Sequence, residues 1–257
     1  KGGETLRALE LLDAMRARGV QPTAITYNAA ISACARGPGG AFLDRALDLL
    51  DEMRDRDGLA PDVVSYNAAI TACAQAHAPD TALWLLEHEM PRRSIRPDVI
   101  SFAAAISACG AAGRWEDAVA VFETMHCAGV DPDVVAYNAA IEACELAGAH
   151  APAQHLLAQA ADRGLYARNF LVGGAHGTSN GWTKLDLHEL SAPVARTAVR
   201  WALRSAGVVV DDKAEEDLVV VTGRGVHSEG GEPVLKPAIL AMLRDEFDGV
   251  VECREER

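Results

Sequence analysis

Two short stretches near the C-terminal end hold the residue types best suited to chemistry. In LDLH, Leu185 to His188, an acid and an imidazole stand two residues apart. On a strand such residues share a face, so Asp186 and His188 point together while Leu185 and Leu187 turn to the core. A carboxylate beside an imidazole can orient it as a general base, or hold a hydrated metal ion such as magnesium. In TGRG, Thr222, Gly223, Arg224 and Gly225, the glycines allow backbone N–H groups to approach a phosphate closely, and Arg224 supplies charge. The plainer alternative gives Asp186 and His188 only loop hydrogen bonds and makes TGRG a tight turn. A single carboxylate does not support a two-metal nuclease.

These residues need elements to position them, and the pattern around them changes class several times. TKLDLHEL alternates as a strand does. Ser191 to about Ala206 reads as a helix, LVVVTGRG as a strand, Pro233 to about Phe247 as a second helix, and GVVEC as a last short strand. That order describes a small α/β sandwich over residues 185–257. Ser191 is placed to cap the first helix, with Pro193 in its first turn. Residues 169–184 are glycine-rich (GGAHGTSNGW) and read as a linker or irregular lead-in.

Upstream, the chain repeats itself. PDVVSYNAAI begins at Pro61, with close copies at Pro22, Pro97 and Pro132, so the proline recurs after 39, 36 and 35 residues. A fixed period of that size means stacked units. Tyr66, Ala69, Ile70 and Cys73 fall at the i, i+3, i+4, i+7 spacing of a helix buried on one face, and Trp115, Ala118, Val119, Phe122 and Met125 repeat it after a break. The unit is a helical hairpin, and neither helix covers its apolar face alone, so the hairpins stack into an α-solenoid.

At these residues the sequence resembles the pentatricopeptide repeat family. The likeness lies in the first helix of each unit (VVSYNAAITACA, VISFAAAISACG, VVAYNAAIEACE), the methionine of the second, and the closing GVDPD or IRPD. In family phasing residues 1–168 form the solenoid: a partial repeat 1–23, then repeats 24–62, 63–98, 99–133 and 134–168. The first complete repeat carries four extra residues, at the break around GPGG, and the second carries one near Glu89. The last has a weaker stripe, interrupted by Gln154 and His155, as suits a terminal, capping unit. The numbering opens inside a second-helix pattern, so further sequence is expected upstream, with any targeting segment there. Cys34, Cys73, Cys109 and Cys144 occupy one position of successive repeats, too far apart for disulfides, and no CxxC pair suggests zinc. They read as small buried thiols.

LDLH and TGRG, in that order and with helices between and after them, resemble the two signature motifs of the small MutS-related (Smr) domain. The fold expected is therefore mainly α: an α-solenoid followed by a small α/β sandwich.

The resemblance implies organellar RNA work, in a chloroplast or mitochondrion. Each repeat of this family reads one base of single-stranded RNA through its fifth and last residues, here Asn28 with Asp62, Asn67 with Asp98, Ala103 with Asp133, and Asn138 with Arg168. Family usage gives asparagine with aspartate to uracil, which covers the first two pairs. The second residues, Ile25, Val64, Ile100 and Val135, sandwich the bases. Smr domains bind nucleic acid and some are endonucleases, which implies RNA contact or cleavage, with magnesium if it cuts. A simpler use of the same residues is capping of helix starts. Charge bears on the choice. Of the 24 basic and 37 acidic residues, 14 and 22 lie in residues 1–168 (net −8) and 10 and 15 in residues 169–257 (net −5), together the net −13 of the chain. A phosphate-driven binder is basic. RNA binding here must rest on bases and a local cluster such as Arg92, Arg93 and Arg96. A protein-binding scaffold with a non-catalytic nucleic-acid-binding Smr domain is the alternative.

Overall fold

The structure, a computed structural model, describes residues 2–172, 182–205, 219–222 and 234–247. The chain divides into two compact units, Lys1–Ala147 and Gly148–Arg257.

In the first unit each recurring proline precedes a capping residue that starts a helix. After α1 (Gly2–Ala17) come α2 (Ala24–Ala35), α4 (Val63–Gln75), α6 (Val99–Ala111) and α8 (Val134–Leu146). Each of these four follows an extended N-cap residue, Thr23, Asp62, Asp98 or Asp133, whose side chain accepts the backbone N–H three residues on. The cap satisfies one of the donors that every helix start leaves unpaired. Between them lie the second helices, α3 (Leu43–Asp55), α5 (beginning at Pro79–Trp84) and α7 (Trp115–Cys127). The hairpins therefore alternate along the unit as the periodicity requires.

Tyr66, Ile70 and Cys73, with their counterparts in the other copies, are all exposed by 6 % or less. Burial of one such apolar side chain contributes about 1.5–3 kcal/mol. Burial also pushes the thiol of Cys73 up to about 12 and those of Cys109 and Cys144 to about 11. The four recurring cysteines are free, as their spacing predicts, and unreactive as thiolates at neutral pH. Successive first helices pack closely. At Gly110 an added Cβ would stand 2.8 Å from the Cβ of Ala143, so α6 and α8 meet at a distance only glycine permits.

Both insertions are absorbed without disturbing this packing. The first repeat's extra residues form a 3-10 turn, Pro38–Gly40. Gly40, at φ 69°, lies so close to the next repeat that a Cβ there would fall 2.2 Å from Ala76 Cα. The second repeat solves the problem inside its helix. Ala46 to Met53 and Ala118 to Met125 are seven residues apart, but Ala82 to Met90 is eight. α5 takes up the surplus in one π-helical turn, Leu85–Glu89, before closing with Met90–Arg92. All six alanines and methionines are consequently 0 % exposed.

The second unit holds α9 (His150–Asp162), β1 (Phe170–Val172), β2 (Trp182–Asp186), α10 (Ala192–Ser205), β3 (Val219–Val221) and α11 (Leu235–Glu246). The sheet order is β1-β2-β3; β1 runs antiparallel to β2, and β2 parallel to β3, with Asp186 opposite Val221. The strand, helix, strand, helix order matches the apolar pattern. β1 is an addition, formed by the start of the segment read as a lead-in, and GVVEC lies outside the described residues. Leu185, Leu187, Val194, Ala198 and Val199 are buried between sheet and helix. Arg200, 1 % exposed, holds Glu246 with two bonds of 2.7 and 2.6 Å and ties α10 to α11.

Two local expectations are corrected. Ser191 Oγ makes no capping bond among the described residues, because it is buried away from the first-turn N–H groups. His155 is exposed, but Gln154 is half-buried and accepts a 3.1 Å bond from Arg204, where α9 packs against α10.

The π-turn makes a prediction. Deleting the exposed His88 should convert α5 to a continuous α-helix with Met90 still buried, leaving stability within about 1 kcal/mol of the original in urea unfolding. Deleting Thr124 at the matching place in α7, where there is no surplus residue, should swing Met125 out of the core and cost about 3 kcal/mol or more.

Candidate nucleic-acid interface

The fifth residue of one repeat and the capping aspartate of the next helix meet at two junctions. Asn28 donates to Asp62 Oδ1 at 3.2 Å, and Asn67 to Asp98 Oδ1 at 3.0 Å. The capping use and the pairing are therefore not alternatives, since one carboxylate oxygen does both: it also accepts Ser65 N–H or Ser101 N–H at 2.9 Å. Burial works against ionisation of Asp62 and Asp98, but the backbone N–H, serine hydroxyl and asparagine amide outweigh it and hold both carboxyls below the usual range. Asn67 is itself only 7 % exposed.

The other two positions differ. Ala103 is buried and offers no polar group, while Asp133 is exposed and caps Ala136 N–H at 2.9 Å. Asn138 is half-buried on α8 of the first unit, and Arg168 is exposed in the turn after α9 of the second. Beside the paired residues stands a row of bare aliphatic side chains, Ile25, Val64, Ile100 and Val135, exposed by 80, 52, 61 and 61 %. Four β-branched residues at one repeat position, left in water beside buried or half-buried neighbours, form an exposed apolar row.

The arginine cluster is not free to neutralise phosphate as the sequence suggested. Glu89, only 6 % exposed at the end of the π-turn, accepts Arg92 at 2.8 Å and Arg93 at 2.9 Å, while Arg96 donates to the Ala128 carbonyl at 3.2 Å.

In the second unit Asp186 and His188 do meet, by a different route from the shared strand face. β2 ends at Asp186, Leu187 N–H still bonds Val221 O at 2.8 Å, and His188 lies in a turn. Asp186 Oδ1 accepts His188 N–H at 3.0 Å, the local turn that aspartate favours, and the same oxygen meets His188 Nδ1 at 2.5 Å. The imidazole is 55 % exposed, so Nε2 is presented to solvent. Asn169 was not singled out in the sequence. It donates to the carbonyls of Asp186 at 2.8 Å and His188 at 3.2 Å, and its own carbonyl takes Asp186 N–H at 2.8 Å. No spacing signal marks it, because the chain must pair β1 with β2 before the two ends touch. Glu189, at φ 68°, completes the turn. Thr222 follows β3 directly and is half-buried. Gly223, Arg224 and Gly225 lie outside the described residues. Among the described residues no three acidic, histidine or cysteine side chains converge as metal ligands. Asp186 already spends an oxygen on the imidazole, so the pair fits imidazole orientation better than a hydrated magnesium ion.

Residues 1–163 match the family described as the pentacotripeptide-repeat region of PRORP. No curated protein sequence matches the chain. Among solved structures, the PPR domain of Arabidopsis thaliana protein-only RNase P 1, in complex with tRNA, is 22 % identical over 63 % of this chain and 82 % of its own, with a TM-score of 0.52. PPR10 in complex with an 18-nt psaJ RNA element is 18 % identical over 90 % of this chain and 27 % of its own, at 0.59. PPR10 from maize is 24 % identical over 95 % of this chain and 32 % of its own, at 0.55. At these identities the likeness is one of fold, a stack of helical hairpins, and this chain spans under a third of PPR10.

The junction carboxylates predict a pH effect. Their folded values lie below their unfolded ones, so their stabilisation is complete above the unfolded value, about pH 4, and is lost as pH falls from there through the folded value. Asp98→Ala should cost about 1–3 kcal/mol at pH 7. In acid titrations of unfolding free energy it should also flatten the drop below pH 4 relative to the original protein.

Proposed function

The chain belongs to the pentatricopeptide repeat family, and from that premise we propose that its repeats bind single-stranded RNA, reading one base per repeat. The observation that carries this is the contact of Asn28 with Asp62 and of Asn67 with Asp98, at 3.2 and 3.0 Å, beside the exposed aliphatic row. An amide and a carboxylate held together present donors and acceptors to a base edge, and Ile25, Val64, Ile100 and Val135 cover the base faces. The two junctions with asparagine take uracil. Ala103 with Asp133, and Asn138 with Arg168, are assigned no base. The neighbours that hold tRNA or a psaJ RNA element lend support to the RNA reading. Its place of action, by the resemblance of its repeats to the family, is an organelle.

The C-terminal unit serves as a second RNA contact of the Smr kind. Asp186 stands opposite Val221, next to Thr222, which supports a reading in which the TGRG segment binds phosphate near the Asp186–His188 pair. Asp186 fixes the imidazole through Nδ1, and the exposed Nε2 withdraws the proton from water or a ribose 2'-hydroxyl. Acidic charge overall means that phosphate neutralisation contributes little and the bases carry the affinity.

Gel shifts test the repeats: U-rich oligonucleotides should bind more tightly than A-rich ones, with a shallow salt dependence. Equal binding to both, or to neither, replaces this reading with a protein scaffold. A cleavage assay tests the second unit. Asp186→Ala and His188→Ala should each abolish cutting by about 100-fold or more with binding retained, whereas Arg224→Ala should weaken binding. Intact RNA with the original protein makes this unit a binding module.

A further inference from the structure

At the two junctions that hold an asparagine, a third side chain completes the contact. Ser65 Oγ donates to Asn28 Oδ1 at 2.6 Å, and Ser101 Oγ to Asn67 Oδ1 at 2.5 Å. Each serine oxygen also stands near the aspartate Oδ1, at 2.9 and 3.0 Å, but the amide oxygen is the nearer acceptor and takes the larger share of the proton. An amide oxygen has none to give, and each serine oxygen already accepts the N–H of Asp62 or Asp98 at 3.1 Å. Turning either amide over would set its oxygen against the aspartate carboxylate and its NH2 against the serine O–H. The first arrangement is repulsive and the second gives up the short serine bond, so carboxylate and hydroxyl together favour one orientation of the amide. Ser65 and Ser101 are 0 % exposed and lie too deep to touch a ligand.

The chain carries its own comparison. At the third junction the asparagine is replaced by Ala103 and the serine by Ala136, which is equally buried at 0 %. Amide and hydroxyl are lost together, yet Asp133 still caps the helix. Capping alone therefore does not need the hydroxyl. Threonine occupies the matching, half-buried place in the first complete repeat, where Thr26 makes the same capping-box contact with Thr23.

We infer that Ser65 and Ser101 are positioning residues that determine specificity, locking the amides of Asn28 and Asn67 in the orientation that accepts uracil and refuses cytosine. This rests on the base-reading proposal above. With one N–H given to aspartate and one lone pair to serine, each amide offers a ligand its second N–H and second lone pair in a fixed order. Uracil presents N3–H beside the O4 acceptor. Cytosine presents the reverse, an N3 acceptor beside the N4 amino donor. Without the serine the carboxylate contact alone resists turning and the amide serves either base more readily, whereas with both contacts it serves uracil.

Fluorescence anisotropy with the full chain tests this, using oligonucleotides that differ only by UU, CC or AA at the two read positions. The original protein should prefer uracil to cytosine by about tenfold at each position. S65A/S101A should reduce that preference to about twofold or less, with a melting temperature within a few degrees of the original because Ala136 already occupies the matching place. S65T/S101T should restore it. A103N/A136S should lengthen the preferred run from two uracils to three, while A103N alone should bind uracil and cytosine alike at the third position. An unchanged uracil preference in S65A/S101A overturns the positioning role and leaves base reading standing. Failure of the original protein to distinguish the three oligonucleotides overturns both.

Discussion

One carboxylate at each of two repeat junctions does two jobs on which the packing of successive hairpins there depends. Asp62 and Asp98 each start a helix by accepting its third N–H, and each grips an asparagine of the preceding hairpin through the same oxygen. The first job fixes where the helix begins, the second fixes its rotation relative to its neighbour. Because the carboxyls are held ionised by these donors, a charge that would be costly in a partly buried place becomes the anchor of the contact.

The stack then has to keep its buried faces in phase from repeat to repeat. The separation of the core alanine from the core methionine is seven residues in α3 and α7, and the helix with eight, α5, widens one turn to preserve it. The widened turn also determines local charge. It carries Glu89 to a place where Arg92 and Arg93 close on it, removing two cations that the sequence alone presents as available. The surface beside the junctions is apolar and amide-lined, and its nearest arginines are paired with Glu89, an arrangement that on the proposed reading suits bases more than phosphates.

The second unit reaches its acid and imidazole geometry through a turn. Two residues apart, Asp186 and His188 can meet either on one strand face or across a local turn, and their sequence spacing is the same in both cases. The turn is chosen because β2 stops at Asp186 and Asn169, arriving from β1, takes both flanking carbonyls.

By itself the sequence determined the period, the hairpin unit, the buried stripe of tyrosine, isoleucine and cysteine, the helix starts, and the order of strands and helices around LDLH. These follow from spacing and from side-chain chemistry that acts within a few residues. Asn28, Asp62, Asn67 and Asp98 were legible as partners only through the likeness of the repeats to a known family. The tertiary structure decided what crosses between distant segments: the serine hydroxyls of Ser65 and Ser101 on the amides, Glu89 on its arginines, the β1 edge strand, Asn169 beneath Asp186 and His188, and Arg204 on Gln154. Each is a hydrogen bond or ion pair whose partner is chosen by how one helix or strand is rotated against another. A few degrees of rotation change the partner without changing any pattern that a linear sequence displays.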